Sequence, residues 1–160
     1  MTDADTDIEP DTDDEPTELT LTVADGAYTF SARLLPAEAP ETVRTVRELL
    51  PLTVELMHVR WSGHATWMNI DHVDLPDLPR ENHTVYPSRG DLLLYPGFRN
   101  EQEILFPCGP TCFKSPAGEL AGNHFACVDA SRSELRDLEE LTLRDGVQEI
   151  TLSLVEGSPE

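Results

Sequence analysis

Lysine is nearly missing from this sequence. Lys114 is the only one, and the other ten basic residues are arginines. Against them stand 31 acids, which leave a net charge of −20. A surface this acidic repels phosphates, so nucleic acid and anionic membranes are excluded as expected partners. The acidity runs beyond the N-terminal stretch into the body of the chain. It reads as adaptation to a saline cytoplasm, since the Debye length shrinks to about 3 Å at molar ionic strength and the repulsion is screened.

Cysteine is scarce too. Cys108, Cys112 and Cys127 make an odd set, which argues against a disulfide framework. The first residues carry no basic start and no apolar run of the export type. No segment approaches the roughly 20 apolar residues a membrane helix needs. The expectation is a soluble, cytoplasmic protein with no membrane partner. Its length suits one domain.

Residues 1–16 hold eight acids, two prolines and no base. Too little apolar surface is present to offset the ordering entropy, so a disordered acidic tail is expected there, with the folded domain over 17–156. From Glu18 the pattern changes. Leu19, Leu21 and Val23 alternate with polar or small residues, Asp25-Gly26 signals a turn, and Tyr28, Phe30, Ala32 and Leu34 alternate again. This is a β-hairpin. Pro40 and Glu41 open a short amphipathic helix carrying Val43, Val46, Leu49 and Leu50, and Pro51 ends it.

Strands are expected at 52–60, 64–70, 91–95, 103–106, 123–128 and around 147–154. Leu135, Leu138 and Leu141 mark a second helix capped near Ser131 or Ser133. Long loops cover 71–90 and 107–122. About eight short strands with Gly and Pro between them indicate a barrel or sandwich, and pairing of the first and last strands would remove exposed edges.

The run Ala39-Pro40-Glu41-Thr42-Val43, followed by Val46-Arg47-Glu48-Leu49-Leu50, resembles the segment that opens the first helix of the cyclophilin barrel. Several wider stretches are similar to an uncharacterised bacterial and haloarchaeal family with a cyclophilin-like fold. These are Arg60-Trp61-Ser62-Gly63, residues 81–87, residues 90–97, Glu103-Ile104-Leu105-Phe106 and residues 120–125. The resemblance implies a mainly β chain: a closed or nearly closed cyclophilin-like barrel of about eight strands with one or two short helices. It implies no activity. True cyclophilins place Phe-His-Arg together and follow with Gln-Gly-Gly. Here His58 and Arg60 are separated by Val59, and Trp67-Met68-Asn69 stands near the place of the missing run.

Several residues could carry chemistry. His58 and Arg60, two apart on a strand, share a face. Arg60 could clamp a carboxylate or carbonyl, with His58 or His83 as the acid–base group. Equally, Arg60 could pair with a structural acid and His58 be a satisfied histidine. Glu81, Asn82 and His83 form a polar cluster in a proline-bounded loop, as a binding loop or as a turn that bonds its own backbone. Glu103, Asn123 and His124 interrupt apolar strands, which places them at a mouth or paired inside. Together with Arg60 they could form one polar patch. Trp61 and Trp67 flank a turn and could line a pocket or pack in the core.

Cys108 and Cys112 have neither the tight paired spacing of a structural zinc site nor the two-residue gap of redox motifs. No metal and no cofactor is expected. The leading expectation is a site for a small organic ligand, anionic or amide-like. A divergent peptidyl-prolyl isomerase and a non-catalytic interaction module or enzyme subunit stand as alternatives, and a homo-oligomer is compatible with the sequence.

Overall fold

Alternation sets the first strands. In β1 (Glu18–Val23) every second residue is buried, and in β2 (Tyr28–Leu34) Phe30, Ala32 and Leu34 are the buried set. The computed structural model describes residues 15–156, so the tail expected over 1–16 lies outside the described residues as far as residue 14. The two strands form the expected hairpin, paired from Val23↔Tyr28 to Glu18↔Arg33. Gly26 turns it at φ 92°, a conformation a side chain resists.

Helix α1 (Pro40–Leu49) follows, with proline in its first turn. Val43 and Val46 are buried against the barrel core. Burial of each such aliphatic side chain contributes about 1.5–3 kcal/mol. Next come β3 (Leu52–Val59), a single tight turn at Arg60–Ser62, β4 (Gly63–Asn69), the two-residue β5 (His83–Thr84) and β6 (Asp91–Tyr95). The chain continues through β7 (Glu103–Thr111), the small pair β8 (Lys114–Ser115) and β9 (Gly118–Glu119), and β10 (Gly122–Asp129). It closes with α2 (Arg132–Arg144) and β11 (Gln148–Leu154). Ser131 caps α2 in a reciprocal capping box with Glu134.

The sheet order is β2-β1-β11-β3-β4-β7-β6-β10, and β10 pairs back with β2. Eight antiparallel strands thus close into a barrel, as expected, with the first and last strands adjacent. β7 runs on to Thr111, further than the four apolar residues Glu103–Phe106 indicate. Pro107 and Pro110 are tolerated because the pairing with β4 breaks register between Gly63 and Ala65. Val147, out of step with the last strand's alternation, lies outside that strand and is exposed.

The near-continuous apolar run of β6 has a reason. Leu92 and Leu94 face the barrel interior, while Leu93 and Tyr95 face a second, outer cluster with Val59, Ala65, Leu105, Phe113 and Leu120. The segment carrying β8 and β9 lies over that outer cluster and supplies Phe113 and Leu120. No helix among the described residues is long and apolar enough to cross a membrane.

Candidate functional site

The outer face of β4 and β7 carries a groove of about 300 Å³. One wall is the tight turn after β3, with Trp61, and the strand residue Trp67. The other is the segment around β8, with Lys114 and Pro116. Asn100 and Glu101 line it from the loop before β7, beside Glu103. Trp61 is 64% exposed, which no core residue would be. Its indole edge belongs to the groove and to solvent.

Glu103 is the buried acid that lines this groove. It opens β7 opposite Asn69 and Tyr95 and is 4% exposed. Its side chain has, among the described residues, a single hydrogen bond: Asn100 Nδ2 donates to Oε1 at 3.4 Å. Burial pushes its carboxyl up to about 7 against that weak bond, and the nearby Glu101 and Asp71 carboxylates push the same way. The shift favours the neutral form, which offers an O–H donor.

The nine residues singled out in the sequence do not form one patch. Trp61 and Glu103 share the groove. His58 and Arg60 do share a shallow depression with Thr142 and Val147, away from it. His58 Nε2 is 3.0 Å from Glu139 of α2, whose carboxylate also meets His64 Nδ1 at 3.0 Å. His58 is thus held by a structural acid, while its Nδ1 is buried with no partner among the described residues. Arg60 begins the turn and is exposed, so strand alternation no longer aims it.

The loop cluster is largely structural. Glu81 Oε1 accepts from the Thr42 backbone N–H at 2.6 Å, closing the N-terminus of α1 where no residue of the helix's own cap does so. Asn123 is 1% exposed and fully engaged: Nδ2 donates to Thr42 Oγ1 and to the Pro79 carbonyl, and Oδ1 accepts from the Glu81 N–H. Asn82, at φ 47°, donates to the His124 carbonyl. His83 is exposed on β5. His124 turns elsewhere, to Asp91.

The sequence offered no reason to join Lys114 and Asn100 to Trp61 and Glu103, since the four come from three separate stretches of the chain: the turn after β3, the start of β7 with the loop before it, and β8. The only signal was that Lys114 is the sole lysine. Cys108 is buried, and burial pushes its thiol up to about 12, so it packs as an inert apolar side chain. All three cysteines are free.

Comparison with known proteins agrees with this architecture. A family model described as "Protein of unknown function (DUF3830)" matches residues 21–154. No curated protein matches the sequence. Among solved structures, McbB in complex with tryptophan is similar with a TM-score of 0.69 at 15% identity, covering 89% of this chain and 46% of McbB. The chain thus spans about half the length of that relative. A hypothetical protein from Archaeoglobus fulgidus is similar at TM-score 0.54 and 17% identity, covering 88% of this chain and 95% of that one. A cyclophilin-type peptidyl-prolyl cis-trans isomerase from Cryptosporidium parvum is similar at TM-score 0.54 and 12% identity, covering 91% and 100%. The chain belongs to the DUF3830 family and has a cyclophilin-like fold.

Proposed function

We propose that this DUF3830 protein binds a small organic ligand in the groove between Trp61, Trp67 and Lys114, with the neutral carboxyl of Glu103 as its polar anchor. The observation that carries the reading is Glu103: a buried carboxyl, weakly bonded, facing a groove walled by two indoles. A carboxyl in that state donates to a carbonyl oxygen, which selects an amide or a carboxylic acid. The indole faces favour a planar or apolar body. Lys114 adds a cation at the rim for an anionic group. A residue titrating near 7 can also pass a proton to or from the bound molecule, the role first expected of His58 or His83. A structural neighbour, of which this chain covers 46%, was solved in complex with tryptophan, which is in keeping with a small aromatic ligand.

A thermal-shift screen in molar KCl tests the reading, with aromatic carboxylates, aromatic amides and proline-containing peptides as the panel. A ligand at 100 times its dissociation constant adds about 2.7 kcal/mol of stability. The expected hit is an aromatic amide or acid whose shift disappears in Trp61→Ala. Amide binding should also weaken above pH 7 in the native protein and persist there in Glu103→Gln. A hit indifferent to both substitutions would sink the groove assignment.

A further inference from the structure

Strand β10 contains an irregularity that gathers three metal-ligating side chains. His124 pairs with Leu93 of β6, yet Ala126 pairs with Leu92, so two residues of β10 oppose one of β6 and Phe125 is the extra one. On a regular strand residues three apart point to opposite faces. The bulge reverses that for His124 and Cys127, which both end half-buried on one side. Asp91, opposite Cys127 at the start of β6, completes the group. Among the described residues this is the one set of three or more His, Cys, Asp or Glu side chains whose ligand atoms could share an ion.

The distances fit one. Asp91 Oδ1 lies 3.3 Å from His124 Nε2, Cys127 Sγ 3.4 Å from the same nitrogen, and Cys127 Sγ 3.8 Å from Asp91 Oδ1. Zinc holds nitrogen and oxygen at about 2.0–2.2 Å and sulfur at about 2.3 Å in a tetrahedron. Its ligand atoms are then about 3.4 Å apart for the N–O edge and about 3.6 Å for the two edges to sulfur. The three observed edges agree with these within about 0.2 Å, so an ion could enter with little movement of the side chains.

An acid–base relay would have a different shape. There the carboxylate holds one ring nitrogen and the thiol meets the other. Here both meet Nε2, which is also 3.1 Å from the Ala126 carbonyl oxygen. Without an ion, one N–H is shared between the Asp91 carboxylate and the Ala126 carbonyl while the thiol donates to Asp91 Oδ1; a cation would instead draw the Nε2 lone pair, the thiolate and Oδ1 to one point. The other carboxylate oxygen of Asp91 accepts from the Ser88 N–H at 2.8 Å, which orients Oδ1 toward the site as an outer-sphere partner would. Burial and the Asp91 carboxylate push the Cys127 thiol up, so without an ion it stays protonated, and Arg33, across from it on β2, pulls only partly the other way.

We infer that Asp91, His124 and Cys127 form a zinc site with three protein ligands and a fourth position left to solvent. In the sequence, where no metal is expected, the candidates are Cys108 with Cys112 and His58, His64, His83 and His124 with a Glu; of the three ligands only His124 is among them, and Asp91 and Cys127 are not.

The test is titration of the full chain, stripped with chelator, with Co²⁺ as a spectroscopic stand-in. One equivalent should bind with a thiolate-to-cobalt charge-transfer band and be displaced by Zn²⁺. Cys127→Ser should abolish that band while Cys112→Ser leaves it intact. His124→Ala and Asp91→Asn, checked for folding by circular dichroism, should weaken binding by at least about 10-fold, the loss that removing even an outer-sphere partner brings. A folded protein that takes up no stoichiometric Co²⁺, or a band that survives Cys127→Ser, would overturn the assignment.

Discussion

Asn123 and Glu103 look alike in the sequence, each a polar residue at the start of an apolar strand, and the fold treats them in opposite ways. Asn123 spends its amide on Thr42, Pro79 and Glu81, joining β10 to the start of α1 and to the loop before β5. Glu103 is as deeply buried and has one long bond, from Asn100. The first is a rivet. The second holds unused hydrogen-bonding capacity beside a groove. A polar interruption in a strand therefore points to function by what it leaves unsatisfied, not by its presence.

That contrast can be broken by mutation. Asn123→Ala should be the most damaging change, since it leaves three groups without partners. A loss of about 4 kcal/mol is expected in denaturant melts, with ligand affinity preserved in whatever protein remains folded. A loss under about 1 kcal/mol would erase the distinction drawn between the two residues.

Glu103 should act with the opposite sign. Its folded carboxyl titrates near 7 against 4.5 when unfolded, so between those values the folded state holds the extra proton. Stability must then fall as pH rises through that window. At about 1.4 kcal/mol per pH unit, the fall amounts to roughly 3 kcal/mol over 4.5 to about 7. Glu103→Gln should flatten that slope and be more stable than the native protein at pH 8. Melts across pH 4–8 read both, and parallel curves would contradict the assignment. Smallest of all is Arg60→Ala, expected to change stability by under about 0.5 kcal/mol and leave groove binding unchanged, because Arg60 is exposed and lines a different depression.

The barrel was legible because its signals are local. The period-2 alternation of Leu19, Leu21 and Val23, the Asp25-Gly26 turn and Pro40 at a helix start each speak for their own neighbourhood. The site was legible only in fragments. Trp61, Trp67 and Glu103 stood out by residue type, but their meeting depends on β4 pairing with β7, where Asn69 faces Glu103. His58 and Arg60 were placed on one face by alternation, yet the chain leaves the strand at Arg60 and α2 brings Glu139 to His58. A helix docking from some 80 positions away leaves no mark at His58 itself. The bulge at Phe125 is equally silent: counted as a regular strand, His124 and Cys127 point apart, and only the register with β6 turns them together.

Ligand anchoring in the groove depends most directly on the protonation of Glu103. Titration of its side-chain carboxyl carbon by NMR, with Glu103→Gln to assign the resonance, should give a midpoint near 7. A midpoint at the ordinary glutamate value near 4.5 would mean that the groove holds a plain carboxylate. The neutral anchor proposed for its ligand would then not exist.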